Sequence, residues 1–263
     1  MRESPALIES RRFAVRQIPA LRPLGWLARG WRDLMRCPVP GLLHGLALAG
    51  FGALLFAVAH QRFWLLAGAF SGFLLVAPIL ATGLYAVSRA LERGQKADMA
   101  LALSAWRPKD SRLVVFGLLL ALAGTGWVVT SSSLIIGFAP EPVRGPADFI
   151  RVVVLNDKSW LLEAWMALGG MLAAPVFASS VVAIPLLLDR EVSVLSAVLT
   201  SWRVVMAHPL PLALWAGLLM ALTVLGMATA LVGLIVIAPW LSHASWHAYR
   251  DLVESSAPAS GRF

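Results

Sequence analysis

The sequence predicts an all-α membrane protein with six transmembrane helices, built as three repeats that run in the same direction. Hydrophobic residues make up 59% of the chain and charged residues 14%, whereas soluble domains average about 45–50% apolar and about 25% charged residues. Long apolar stretches alternate with short basic segments, a pattern typical of topology signals in membrane proteins. A Trp-Arg pair precedes an apolar stretch three times, which indicates an internal repeat.

Each repeat is predicted to be an interfacial amphipathic helix followed by a transmembrane hairpin. Trp31-Arg32 and Trp202-Arg203 are each followed at the same offsets by a methionine and a proline, and Trp106-Arg107 forms a shorter third copy. We expect repeats over about 21–88, 89–188 and 189–253 within a single membrane domain, residues 21–253. Residues 1–20 are expected to be a flexible basic segment and residues 254–263 a disordered tail.

The first interfacial helix is predicted over residues 21–36, and six spans are expected. In the helix, leucines, a tryptophan and a methionine recur at helical spacing between arginines, as in helices that lie on an anionic membrane face. A bilayer core of about 30 Å requires about 20 apolar residues per helix. The first four spans are predicted at Gly41–Ala59, Phe63–Val87, Leu113–Phe138 and within Glu163–Leu188.

Residues 210–249 are predicted to contain the fifth and sixth spans. One helix of that length would be about 60 Å long, twice the bilayer core, so we expect a break near Gly226; one long helix is the alternative. Ala77-Pro78 and Ala238-Pro239 are followed at equal offsets by Leu, an aromatic residue and Arg, which makes the sixth span a return helix like the second. Prolines are expected to bend the return helices, at Pro78, Pro175 and Pro239.

Basic residues predict the orientation. With six spans, 18 Lys and Arg residues lie on the side of both termini and 4 on the other. The positive-inside rule therefore predicts that both termini and all three interfacial helices lie on the cytoplasmic side. Tryptophan and arginine near the ends of spans are typical membrane-interface anchors, and the predicted anchors are Trp31, Arg32, Trp106, Arg107, Trp202, Arg203, Trp246 and Arg250.

Three histidines are the only candidates for a cofactor or metal site. His243 and His247 are four residues apart and share one helical face, so the pair could bind a metal, or one could ligate haem together with His44. A spacing of four residues is weak evidence for a ligand pair, and a position near the cytoplasmic interface favours anchoring and helix–helix hydrogen bonds for these residues. We therefore predict no bound cofactor, no metal and no catalytic residue. The sequence contains no nucleotide-binding loop, nucleophile elbow or zinc-binding His-Glu-x-x-His motif.

Four motifs in order resemble an uncharacterised integral-membrane family of proteobacteria, domain of unknown function 2189. They are Gly25–Leu34 (GWLARGWRDL), Ala77–Gly94 (APILATGLYAVSRALERG), Pro185–Val192 (PLLLDREV) and Ser242–Leu252 (SHASWHAYRDL). Members are sometimes labelled cytochrome c oxidase subunits. The resemblance implies a multi-helix inner-membrane protein and carries over no catalytic residues.

The sequence favours a non-enzymatic accessory, assembly or scaffold subunit of a membrane complex, and a respiratory complex is one candidate. The expected partners are the lipid bilayer and either other membrane subunits or further copies of the chain, without nucleic acid. The repeats and bent return helices leave a small-solute transporter or channel as an alternative, with hydroxyls between Thr125 and Ser133 as a candidate pore lining. A haem- or metal-binding membrane protein is the second alternative.

Overall fold

A computed structural model describes residues 4–59, 81–105, 111–156 and 159–255, and most of these residues are helical. Two short strands, β1 (Phe13–Val15) and β2 (Val253–Ser255), form an antiparallel pair. The helices are α1 (Pro5–Ser10), α2 (Arg22–Arg36), α3 (Pro38–Ala59), α4 (Thr82–Glu92), α5 (Met99–Ser104), α6 (Ser111–Phe138), α7 (Pro146–Phe149) with a π-helical turn over Ile150–Val154, α8 (Leu161–Ser180), α9 (Ala183–Asp189), α10 (Val194–Ala207), α11 (Pro209–Ala228) and α12 (Leu234–Leu252).

Four helical segments within the described ranges are long and apolar enough to cross a membrane. They are Pro38–Ala57, Ser111–Phe138, Leu161–Asp189 and Pro209–Ala228. The six-span arrangement is not confirmed: most of the expected second span, including Pro78, lies outside the described residues. The expected sixth span corresponds to α12, which is not among the four, because its C-terminal half carries histidine, arginine and aspartate.

The chain between residues 209 and 252 forms two helices rather than one. The turn between α11 and α12 covers residues 229–233, a few residues after the predicted break at Gly226. Thr229 Oγ1 donates to the Gly226 carbonyl and accepts from the Gly233 N–H, both at 2.8 Å. Ala230 (φ +52°) and Leu231 (φ +71°) adopt the left-handed conformation that reverses the chain, at a steric cost for residues with a Cβ.

The expected fourth span is divided into α8 and α9. Pro185 has no N–H to donate to the Val181 carbonyl, and its ring crowds that carbonyl, so the helix cannot continue regularly through residues 181 and 182. Because the helix is interrupted at this point, the N–H of Val182 donates to Ser201 Oγ of α10 at 3.1 Å instead of to a carbonyl of its own helix. Pro175 remains inside α8.

The chain divides into two compact units. The described part of the first comprises residues 4–49, 81–105, 111–116 and 177–255. Its centre is α12, which packs against α2 and α4, while α10 packs against α1 and α9. Buried aromatic and aliphatic side chains fill this core, among them Trp26, Leu34, Val87, Trp246 and Leu252.

Glycines allow α2 and α3 to approach α12 closely. A Cβ at Gly30 would lie 2.5 Å from the Ala244 backbone nitrogen, and one at Gly45 would lie 2.1 Å from the Ile235 carbonyl oxygen. Pro239 cannot donate a hydrogen bond to that carbonyl, so the Cα of Gly45 covers a helical acceptor that has lost its usual partner. Gly41 also faces Pro239. Gly41 and Gly45, four residues apart, thus provide a small face for close helix packing.

The described part of the N-terminal segment contains α1 and β1, which contact other segments of the first unit. Ser4 caps α1 by accepting from the Leu7 N–H at 3.3 Å. The Glu9 carboxylate accepts from the Ser193 hydroxyl at 2.8 Å, at the start of α10. Phe13 is buried, and β1 pairs with β2, so both chain ends meet in the first unit. Glu254 and Ser255 of the expected tail belong to β2, and residues 256–263 lie outside the described residues.

The second unit comprises residues 50–59, 117–156 and 159–176 in its described part. Ile135, Val153 and Leu161 form the centre of a buried apolar cluster. Trp165 packs on this cluster and donates to Ser131 Oγ at 2.6 Å. This contact links α8 to α6.

Candidate functional site

A buried polar network connects α2, α4 and α12 in the first unit. Ser88 Oγ donates to Asp33 Oδ2 at 2.8 Å, and His247 Nε2 lies 2.8 Å from the same oxygen. Ser88 Oγ is also 2.7 Å from His243 Nδ1. A carboxylate only accepts and a serine has a single proton, so His243 must donate its Nδ1–H to Ser88. We name Asp33, Ser88, His243 and His247 the Asp33 network.

Burial determines the behaviour of the Asp33 network. Ser88 and His243 are fully buried, and Asp33 is 5% exposed. Burial by itself raises the pKa of Asp33, but the hydrogen bonds and charge of His247 and the hydrogen bond of Ser88 outweigh it, so the pKa lies below its usual value. The carboxylate therefore stays ionised and holds one residue from each of two neighbouring helices.

His243 and His44 each use only Nδ1 in the hydrogen bonds described here. His243 Nε2 has no hydrogen-bond partner within the described part of the chain and lies 3.8 Å from the position of a Cβ on Gly41. His44 places Nδ1 2.7 Å from the Pro40 carbonyl, so it donates there. Its Nε2 lies near Gly83. His243 and His247 thus share α12, as predicted, but each is committed to the Asp33 network through one ring nitrogen.

No group of three or more metal-binding side chains occurs among the residues that the structure describes. His247 gives its Nε2 to Asp33, and His243 gives its Nδ1 to Ser88. The geometry of these two histidines therefore serves contacts between helices.

A second acid, Asp251, joins the start of α2 to the end of α12. Its carboxylate accepts from Arg22 Nε at 2.6 Å, from Trp26 Nε1 at 2.8 Å and from both terminal nitrogens of Arg29. Burial by itself raises the pKa of Asp251. The hydrogen bonds from Arg22, Arg29 and Trp26 lower it by more than burial raises it, so the net shift is downward.

Asp189 and Glu92 form two further hubs. Asp189, 1% exposed, accepts from Tyr249 Oη at 2.9 Å and from Arg190 Nε at 3.2 Å. Arg89 Nη1 lies 3.5 Å from its other oxygen. Glu92 accepts from Trp246 Nε1 at 3.2 Å and Arg250 Nε at 3.1 Å. The four acidic hubs are Asp33, Glu92, Asp189 and Asp251.

The predicted interface anchors have different environments. Trp31 is 40% and Trp202 38% exposed, and Arg32 is also exposed. Arg203 donates to the Ser10 carbonyl at 2.7 Å. Trp246 is only 1% exposed, so its ring packs inside the protein rather than against lipid, and Arg250 pairs with Glu92. Trp106 and Arg107 lie outside the described residues.

The acidic hubs were missed as functional residues by sequence reasoning. Asp33, Asp189 and Asp251 each stand beside an arginine within the motifs GWRDL, LLLDREV and AYRDL. An acid next to an arginine at the edge of an apolar helix is the signal that could have identified them.

The model of the family described as predicted integral membrane protein (DUF2189) matches residues 65–189. Comparison with curated proteins and with solved structures gives no match. The four apolar helical segments agree with the description of that family. The chain is thus a multi-helix integral membrane protein whose residues 65–189 match the DUF2189 family, the family that its motifs resemble.

Proposed function

We propose that this protein is a non-enzymatic accessory, assembly or scaffold subunit of a membrane complex in the bacterial inner membrane, with both termini in the cytoplasm. The observation that carries the proposal is the use of the acidic residues in the first unit. Each of the four acidic hubs holds side chains from other segments, and two of them, Asp33 and Asp189, are buried. These groups therefore hold the first unit together, and we call this unit the module.

The contacts within the module are of the kind that a preorganised binding scaffold requires. Asp33 and Asp251 hold α2 against α12 at two levels, and Gly30 lets the two backbones approach. Strand pairing between β1 and β2 ties the two chain ends to the same module. A preorganised surface loses little conformational entropy on binding, which favours a role in assembly.

The hydroxyl groups of α6 support this proposal over a polar pore. Thr125 donates to the Ala121 carbonyl at 3.0 Å, Thr130 to the Gly126 carbonyl at 2.8 Å and Ser132 to the Val129 carbonyl at 3.1 Å. Each bond lies within the helix, which is the usual way for hydroxyls to be satisfied in lipid. No observation on α6 favours the transporter.

The test is purification of the tagged protein from its own membranes in mild detergent, followed by mass spectrometry of the associated subunits. Stoichiometric membrane subunits are expected with the wild-type protein and with Gly25→Ala. A Cβ added at Gly25 would meet no described atom within 4 Å, so this variant preserves the module.

The paired variant Asp33→Asn/Asp251→Asn should remain in the membrane and lose those subunits, because it weakens the module without changing the apolar spans. Recovery of the wild-type protein alone, as a uniform small oligomer, would contradict the proposal and favour transport.

A further inference from the structure

Two helices outside the candidate spans carry apolar side chains that the protein leaves uncovered. Leu21, the residue immediately before α2, is 67% exposed, and on α2 itself Leu24 is 50% and Met35 52% exposed. On α10, Leu195 is 57% and Met206 73% exposed. We name these sets, together with Trp31 and Trp202, the α2 stripe and the α10 stripe.

Each stripe forms one face of its helix. At 100° per residue, the α2 stripe lies within an arc of about 90° and the α10 stripe within about 40°. The faces that pack against the protein are different ones: Trp26, Gly30 and Asp33 are buried on α2, and Ala197 and Val204 on α10. Each helix therefore has one face for the protein and another, apolar face for something else.

Both helices connect to a candidate span through a single residue. Cys37 (φ −139°, ψ 69°) stands between α2 and α3, and His208 (φ −132°, ψ 56°) stands between α10 and α11. In both cases the next residue is a proline, which excludes the helical conformation from the residue before it. The two copies of the sequence repeat thus have the same local backbone geometry.

This connection determines what covers the stripes. Two residues span at most about 7 Å, so the last turn of each helix lies next to the first turn of an apolar helix that is long enough to cross a membrane. Met35 and Met206 each lie on that last turn, three residues before the proline. The membrane surface at which each span begins is therefore within reach of the stripe.

We propose that α2 and α10 lie along the membrane surface, with the α2 and α10 stripes inserted among the lipid acyl chains beneath the headgroups. Tryptophan and methionine provide the apolar contact. Arg32 and Arg36, which are exposed near the end of α2, meet the phosphate groups beside the stripe, as in other interfacial helices.

The test uses nitroxide labels at single cysteines in a Cys37→Ala background, in vesicles of phosphatidylcholine and phosphatidylglycerol. Labels replace Leu24 and Met206. Leu118, 66% exposed on α6, is the lipid control, and Gln17, exposed in the N-terminal segment, is the water control. Collisions with oxygen, which concentrates in lipid, and with a nickel chelate, which stays in water, are measured.

The labels at Leu24 and Met206 should show an oxygen-to-nickel collision ratio severalfold higher than the label at Gln17 and close to that at Leu118. If a label at Leu24 prevents folding, Ala28, which is exposed one turn further along the α2 stripe, replaces it. Ratios like that of Gln17 would overturn the proposal. Low collision rates with both reagents would also overturn it, because they would show that a protein surface covers the stripes.

Discussion

Substitution of Gly30 by alanine tests the packing of α2 on α12. The added Cβ would lie 2.5 Å from the Ala244 nitrogen and 2.8 Å from its Cα and Cβ. Ordinary van der Waals contact begins near 3.4 Å, so the two helices must separate by about 1 Å. Overpacking of this kind typically costs about 1–3 kcal/mol, and here the neighbouring atoms include backbone atoms, which cannot rotate away.

The matched control is Gly25→Ala on the same helix. A Cβ there meets no described atom within 4 Å, and alanine is favoured over glycine in a helix by about 1 kcal/mol. For a chain of this size, about 2 kcal/mol corresponds to a change of about 4–8 °C in the unfolding midpoint. The propensity gain applies to both variants, so thermal unfolding in one detergent, at one heating rate, should place Gly30→Ala several degrees below Gly25→Ala, and Gly25→Ala at or above the wild type.

Removal of the Ala244 side chain provides an internal check. Gly30→Ala/Ala244→Gly deletes one of the three closest atoms and should recover part of the lost stability, whereas Ala244→Gly alone should destabilise the helix. Equal midpoints for Gly30→Ala and Gly25→Ala would refute the close contact between α2 and α12.

Four further predictions concern other parts of the first unit. Ala230→Gly should stabilise by about 1 kcal/mol, because Ala230 has a positive φ in an exposed turn; Val232→Gly in the same turn is the control in thermal unfolding, and an equal effect of both would contradict the explanation. Gly45→Ala should lower the unfolding midpoint more than Gly50→Ala, since only the first Cβ meets a described backbone atom, the Ile235 oxygen; the reverse order would disprove the contact. Ser88→Ala should cost about 1–3 kcal/mol by leaving Asp33 and His243 without their shared hydroxyl, and a neutral result in thermal unfolding would show that the network is not formed. The folded-state pKa values of Asp33 and Asp251 lie below the usual value, so their stabilisation is complete above the unfolded-state pKa of about 3.9 and is lost as the pH falls through the folded-state values; midpoints measured across the acid range should show a smaller loss in Asp33→Asn/Asp251→Asn, and an unchanged pH profile would count against these carboxylates.

The sequence predicted the features that depend on local composition. Apolar length identified α3, α6 and α11 as spans, and excessive length predicted the break that the structure places at residues 229–233. The four-residue spacing of Gly41 and Gly45 is typical of close helix contact, and in the structure both glycines lie against α12. These features follow from how far a helix extends and from which residues it can bring close to a neighbour.

The features that the sequence did not predict depend on distant partners. Asp251 is paired with Arg22 and Arg29, more than 200 residues away in the chain. Phe13 and the strand pairing of β1 with β2 likewise became visible only when both chain ends were placed together. Trp246 was predicted to be an interface anchor because Trp and Arg are common at interfaces. In the structure its ring is buried and its indole N–H donates to the Glu92 carboxylate.

The acidic hubs also explain how the arginines of one strongly basic chain serve both helix packing and orientation in the membrane. The net charge of +8 is distributed unevenly, because some arginines pair with the acidic hubs and others lie exposed near the start of a span. Arg22 and Arg29 are held by Asp251 and Arg250 by Glu92, whereas Arg32 and Arg36, on the last turns of α2, remain exposed. The paired arginines hold the helices together. The exposed ones lie next to the start of a span, where positive charge has the greatest influence on orientation in the membrane.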